Sequence, residues 1–399
     1  MPLNHSSIGI TEKYLYKPGP DVMHLFWSSV SRRVAQAFIF LFSSVYVYET
    51  FVRFGASNKT AMILVAGFFI FTLSSKLVFL IIAENISRKT GFKGMIWLSA
   101  MPFAIYVPSL IFASGHPGYF LIAAISYGAY SAFYWWGFHG YFIKVGDRKH
   151  FGEGVGEVEF LNTFATIITP LVGGIIIEVS GFTVGYVIAG LFVFLSLLLL
   201  GKDRDRRQNT DIYFKDVLKL AIKHKSMTLA YIGGSMEGIF YVFGWPLFLF
   251  LFFGGVVKLG AFVTISALLA AVVGIFAGKK VDEQGERGVV AIAAPALSFS
   301  WFLKAVTTLV PIYVIAESIR NFGERILIVS LVELSYKKAV EALTARAILF
   351  REFAIIIGSL LSLTLFVFWV LLGFGFQSFF VVVGLGSLLP LIAVYKQRI

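Results

Sequence analysis

Gly278-Lys279-Lys280-Val281-Asp282-Glu283-Gln284-Gly285-Glu286-Arg287 is a short polar stretch with an apolar run of membrane length on each side. A glycine, an aspartate four residues on, a second glycine and a closing basic residue make a tight, charged hairpin. Half a chain earlier stands a degenerate copy, Glu84-Asn85-Ile86-Ser87-Arg88-Lys89-Thr90-Gly91-Phe92-Lys93. Gly91 and Gly285 share one sequence offset with Lys93 and Arg287, so the chain reads as a unit built twice. A second trace agrees: Phe160-Leu161-Asn162-Thr163-Phe164-Ala165-Thr166-Ile167-Ile168 resembles Phe350-Arg351-Glu352-Phe353-Ala354-Ile355-Ile356-Ile357.

Working outward, the composition names the solvent. Of 399 residues, 58% are hydrophobic and 14% charged, against about half and about a quarter in soluble domains. A water-soluble fold of this length cannot hide that much apolar surface, and the apolar runs reach the roughly 20 residues a membrane-spanning helix needs. They do not alternate as the strands of a membrane barrel would. The expected fold is therefore an all-α polytopic membrane protein. Cysteine is absent, which removes disulfides and thiolate metal sites. The net charge of +12 is a matter of placement in a membrane protein, and no nucleic-acid role is expected.

Twelve spans are read at 34–53, 60–83, 94–113, 118–143, 158–178, 182–200, 226–253, 258–277, 289–309, 311–335, 344–371 and 374–395. This gives a polar tail (1–33), a six-helix bundle (34–200), a charged linker (201–225) and a second six-helix bundle (226–399). In the tail, Asp21 is expected to cap a short amphipathic piece through Trp27. Lys and Arg crowd the loops of one side, while the other has only Arg53, Lys59 and Lys258. Basic loops stay cytoplasmic, which places both termini and the linker in the cytoplasm of an inner-membrane protein. Within the linker, Tyr213, Val217, Leu220 and Ile222 could form one apolar side of a surface helix beneath Lys215, Lys219 and Lys223, but the favoured reading is a solvated tether that also sets topology.

Twelve spans, a charged central linker and a glycine–aspartate–glycine–basic loop after the second and eighth spans resemble the major facilitator superfamily. Gly278, Asp282, Gly285 and Arg287 stand in the family's loop positions. In the first copy Glu84 replaces the leading glycine and Arg88 the aspartate, and Gly91 remains. The resemblance implies a secondary transporter in which these loops latch two pseudo-symmetric bundles on the cytoplasmic side. Thr169-Pro170-Leu171-Val172-Gly173-Gly174 is similar to the family's antiporter signature, which gives a lean to efflux. There Pro170 is expected to bend the helix, with Gly173 and Gly174 permitting close packing.

Ionisable side chains inside a span are costly and mark pathways by default. Glu237 lies near mid-bilayer in the seventh span and shares a helical face with Tyr241 and Gly244. The tenth span carries Glu317, Arg320, Asn321 and Glu324 on one side, with Arg325 and Glu333 besides. Arg320 is spaced to pair with Glu317 and Glu324. These residues form either a neutralised ladder or a site in a central cavity, which Lys304, Arg351 and Glu352 could join. Glu237, Glu317 and Glu324 are the candidate proton carriers. Tyr127, Tyr130 and Tyr134, with Ser131 and Phe138, make a stripe on span four that would suit substrate or simple packing. With Tyr241, Trp245, Arg320 and Asn321 they are the candidate substrate contacts. Glu49 and Arg53 read as a pair at the mouth, Lys76 as a side chain reaching the interface, and His139 as a core residue.

No Walker loop and no metal-ligand cluster occurs, and no cofactor is expected. The reading is a monomeric carrier of a small-molecule solute (a sugar, amino acid, small peptide or drug-like cation), coupled to protons in the lipid bilayer. The rivals are a lipid-modifying membrane enzyme or a non-transporting receptor.

Overall fold

The computed structural model describes residues 19–146, 160–163, 167–201, 214–282, 285–341 and 344–392, with side-chain placement for these except 214, 215, 273–287, 329, 330 and 332–345. The elements are α1 (Pro20–Arg53), α2 (Asn58–Leu98), α3 (Ala100–Ala113), α4 (Tyr119–Val145), α5 (Thr169–Leu200), α6 (Phe214–Lys223), α7 (Lys225–Phe253), α8 (Val256–Asp282), α9 (Gly285–Val306), α10 (Val310–Glu341), α11 (Thr344–Leu371) and α12 (Phe379–Gly386). Among the described residues, six helical segments are long and apolar enough to cross a bilayer. Two of these are double. Gly91 (φ 76°) breaks α2 and Gly181 (φ 78°) breaks α5, so each holds the end of one span and the start of the next. Only glycine takes such a left-handed conformation without a Cβ clash, and Gly91 sits in the degenerate loop copy. The polypeptide is an integral, all-α polytopic membrane protein.

The first helix begins fourteen residues before the expected span. Pro20 occupies its first position, where a missing N–H costs nothing, and Asp21 lies in the first turn rather than acting as the cap, which is Gly19. Within the described part of the expected tail, the polar Ser28, Ser29, Ser31 and Arg32 are buried. Arg32 is fully buried, its Nε and Nη1 donating to Ser196 Oγ (3.2 Å) and Ser99 Oγ (3.1 Å). Lining up polar partners for a buried cation requires polar residues in a helix, and that hid the helix from a hydropathy reading. The linker does form an amphipathic helix, α6. Val217 is buried, Ile222 is exposed, and Asp216 meets Arg346 of α11 at 3.8 Å.

Within the first half, α2 packs most extensively on α4 and α1 on α5; within the second, α9 packs on α10 and α7 on α11. The halves meet where α5 lies against α8, α2 against α11 and α1 against α7. One membrane face carries the linker, at Gly201 and Lys225. The opposite face carries the tight hairpins at Gly55, Gly254 and Gly373, all with positive φ.

Toward this hairpin face the halves touch backbone to backbone. A Cβ on Gly174 of α5 would lie 2.7 Å from the Val256 carbonyl oxygen, and one on Gly260 of α8 would overlap the Pro170 carbonyl. Pro170 stands in the first turn of α5, after bends at 167 and 168. The first-turn amide of Leu171, which lacks a helical partner, donates instead to Thr264 Oγ1 of α8 at 3.2 Å. Adding a methyl group at this crossing should therefore push backbone, not a yielding side chain. Gly260→Ala is expected to lower the thermal midpoint in detergent by the equivalent of about 1–3 kcal/mol. Gly190→Ala, which faces open space, serves as the control. Equal midpoints for the two variants would refute the packing account.

Candidate functional site

Arg320 is the centre of the site. It is 3% exposed, on α10, and a bare guanidinium at that depth would be prohibitive. Its Nε donates to Glu237 Oε1 at 2.8 Å and its Nη2 to Glu237 Oε2 at 3.2 Å, the two-pronged geometry for which a guanidinium is suited. Glu237 comes from α7, and Trp301 Nε1 of α9 donates to its Oε1 at 3.1 Å. Tyr241, one turn along α7, lies flat beneath Arg320 with the guanidinium carbon 3.3 Å from the ring centroid, a cation–π contact strengthened by burial. Its hydroxyl donates to Asn321 Oδ1 at 3.4 Å, and the second carboxylate, Glu324, lies 4.0 Å from Arg320 Nη1. Three helices of one half thus hold one cation between two carboxylates.

This corrects the pairing within the tenth span. Arg320 takes its main partner from another helix, and Glu317 does not face it. Glu317 instead accepts from Lys304 Nζ of α9 at 2.6 Å, both side chains fully buried. The ammonium also sits over the rings of Trp301 (4.0 Å) and Trp245 (4.2 Å). Trp245 is consequently a wall of this ion pair rather than of a cavity.

A cavity of about 470 Å³ lies between the halves. Arg33, Gln36 and Phe40 of α1 and Thr163 form its first-half wall; Tyr241, Arg320, Asn321, Glu324 and Arg325 form the second-half wall. That volume falls within the roughly 300–1,000 Å³ of small-molecule sites. A smaller chamber of about 190 Å³ adjoins it inside the second half, sharing Gly238, Glu324 and Ile328.

The tyrosine stripe does not line the central cavity. Tyr130 and Tyr134 stack on each other at 6.1 Å and offer their faces to Arg32, at 5.4 and 4.2 Å. Tyr127 packs on Tyr106 and Phe40 and borders a separate hollow of about 130 Å³. The physical reason is the buried Arg32: ring faces solvate a cation that has been taken out of water.

A second polar cluster joins the halves. Lys76 of α2 meets Glu352 of α11 at 2.7 Å, and Arg351 touches both Glu352 (3.2 Å) and His139 Nε2 of α4 (2.6 Å). Lys76 is buried and does not reach the interface, and His139 belongs to this network. Two adjacent charges, deeper in the 344–371 run than Arg346, were the available signal. In the loop copy, Glu84 is bound by Arg88 of its own helix at 2.7 Å. In the Gly278 loop, α8 ends at Asp282 and α9 begins at Gly285, while the surroundings of Gly278 and Gly285 and the side chains of Asp282 and Arg287 lie outside what is described. Gly173 packs against Phe38 and Phe42, and Gly174 against α8. That close packing accounts for the 169–174 stretch and carries no direction of transport. No group of three or more metal-ligating side chains occurs among the described residues.

Two helical halves in lipid, with an ion-paired cavity at their junction, define a membrane transporter of the secondary type rather than an enzyme. The model of the Major Facilitator Superfamily matches residues 28–348, and the chain belongs to that family. In fold it is similar to the crystal structure of the human organic anion transporter MFSD10 (TETRAN), with 14% identity, TM-score 0.67, and coverage of 94% of this chain and 99% of that one. It is also similar to the POT family transporter PepTSo, with 10% identity, TM-score 0.70, and coverage of 96% and 98%. An auto-inhibited POT family peptide transporter matches with 10% identity, TM-score 0.71, and coverage of 96% and 97%. No curated protein matches the chain in sequence.

Proposed function

We propose that the protein is a proton-coupled carrier of a small solute, working by alternating access as a monomer in the cytoplasmic membrane with both termini on the cytoplasmic side. The observation that carries this is a buried cation, Arg320, held between Glu237 and Glu324 at the wall of the central cavity. A carboxylate that can be released from its guanidinium and then protonated links a bound solute to a proton. A proton on Glu237 removes the charge that Arg320 neutralises, and Arg320 is then available to the solute. The backbone contact of α5 on α8 lies toward the hairpin face, and rocking the halves would alternate contact there with contact on the linker face. The lean to efflux rests on the 169–174 stretch alone, and the direction of transport follows the sense of the proton linkage.

The absence of cysteine makes the test clean. A single Gln36→Cys variant in sealed proteoliposomes, treated with a membrane-impermeant maleimide, should be labelled from either side, in proportions that shift with an imposed pH gradient. Labelling from one side only, whatever the gradient, would refute alternating access.

A further inference from the structure

The hollow of about 130 Å³ lies beside the central cavity, and Phe40 of α1 and Val242 of α7 border both. Its wall is mostly ring: Phe68 and Phe69 of α2, Tyr106 of α3 and Tyr127 of α4 join Phe40. Two hydroxyls on that wall are unused. Tyr127 and Ser131, one turn apart on α4 and each 8% exposed, make no hydrogen bond among the described residues. By contrast, Ser43 and Thr72 donate to carbonyls of their own helices, Ile39 at 2.6 Å and Phe68 at 2.9 Å. Lys76 also borders the hollow, but its ammonium is committed to Glu352 of α11 at 2.7 Å. The first-half wall is stiff, since a Cβ on Gly128 of α4 would lie 2.5 Å from the Thr72 carbonyl oxygen of α2. The second half contributes Ile239 and Val242 of α7. Two lining residues also tie the halves together, Phe69 on Phe243 at 5.7 Å and Lys76 on Glu352. The hollow is therefore complete only while the halves stand in this arrangement.

From this geometry we infer a binding site for a small neutral phenol, separate from the solute cavity, whose occupant holds the halves as they stand and arrests transport. The volume suits one six-membered ring, because an apolar cavity of about 150 Å³ takes up benzene. The lining rings supply the edge-to-face and offset contacts that a flat ring prefers. A hydroxyl on that ring both donates and accepts, which are the roles Tyr127 and Ser131 leave open. A polyol of the same size would bury more hydroxyls than these two can satisfy, each at a cost. Nothing in the hollow asks the occupant for a charge, since Lys76 already has its carboxylate. Ile239 and Val242 move with the second half, so a ring that touches both walls binds this arrangement and not its opposite. At a hundred times its Kd, such a ligand depopulates the opposite arrangement about a hundredfold. The site stands independently of the carrier reading, whereas the arrest rests on it.

Equilibrium binding of radiolabelled phenol and of toluene, the same shape without the hydroxyl, to the full chain in nanodiscs tests the site, with empty nanodiscs as the correction. The double variant Tyr127→Phe with Ser131→Ala removes both unused hydroxyls and adds no volume. It should weaken phenol binding by about tenfold, the worth of one or two net hydrogen bonds. Toluene, which needs no hydroxyl, should bind the variant at least as tightly as the wild type, and so reports that the hollow is still formed. Equal changes for the two probes, or no change in phenol binding, overturn the site. In Gln36→Cys, saturating phenol should confine maleimide labelling to one side of the membrane whatever the pH gradient. Adding Tyr127→Phe and Ser131→Ala should restore the response to the gradient. Labelling that phenol leaves unchanged overturns the arrest. If Gln36→Cys is labelled from one side even without phenol, the carrier reading falls, and the phenol–toluene comparison still decides the site.

Discussion

Replacing Lys304 with Met should be among the most damaging single changes in the protein. Lys304 and Glu317 are both fully buried and meet at 2.6 Å. Removing one partner of such a pair strands the other as an uncompensated charge, at a cost of about 3–5 kcal/mol. Glu317 Oε1 already has no hydrogen-bond partner among the described residues, so the carboxylate depends on Lys304 for its one charge-assisted hydrogen bond. The double variant Lys304→Met with Glu317→Leu removes both charges and should recover most of the loss, since a buried pair is often matched by apolar residues of similar volume. Trp245 and Trp301 flank the ammonium, so tryptophan fluorescence during thermal unfolding reports on the site directly. A single variant as stable as the double would show that the pair holds nothing in place.

The second large effect concerns coupling. Glu237→Gln keeps the shape of the side chain and its contact with Trp301, but abolishes the charge that holds Arg320. With one proton per solute, each unit of imposed pH gradient is worth about 1.4 kcal/mol, or tenfold in accumulation. The wild-type protein in proteoliposomes should therefore concentrate its solute about tenfold per pH unit. The variant should only equilibrate it, while still exchanging labelled for unlabelled solute at equal concentrations. Gradient-driven accumulation that survives in Glu237→Gln would remove this carboxylate from the coupling mechanism and move the role to Glu324.

The sequence announced the lipid environment, the doubling and the breaks between spans, because long apolar runs and glycines with special backbone needs leave local marks. Glu237, Tyr241, Arg320, Asn321 and Glu324 were legible as candidates for a related reason: charge inside an apolar run has to be compensated. Which charge compensates which was not legible. Spacing fixes neighbours on one helix, as it does for Arg320 and Glu324, but Glu237 with Arg320 and Lys304 with Glu317 are pairs between helices. The same blindness assigned Lys76 to the interface and the span-four tyrosines to the solute. A stripe on a helix shows that one face differs and does not say what it faces. Residues 20–33 were lost for another reason, since a buried Arg32 with serine partners looks in sequence like a solvated tail.

The crossing of α5 and α8 constrains how the molecule can move. Where Gly174 and Gly260 bring main chain against main chain, no layer of flexible side chains remains to be squeezed or slid. A tilt of one half against the other is therefore geared there, rolling on a hard point like a knuckle joint. Displacement grows with distance from that point, so the helix ends at the linker face sweep the widest arc, and residues 170 and 260 scarcely travel.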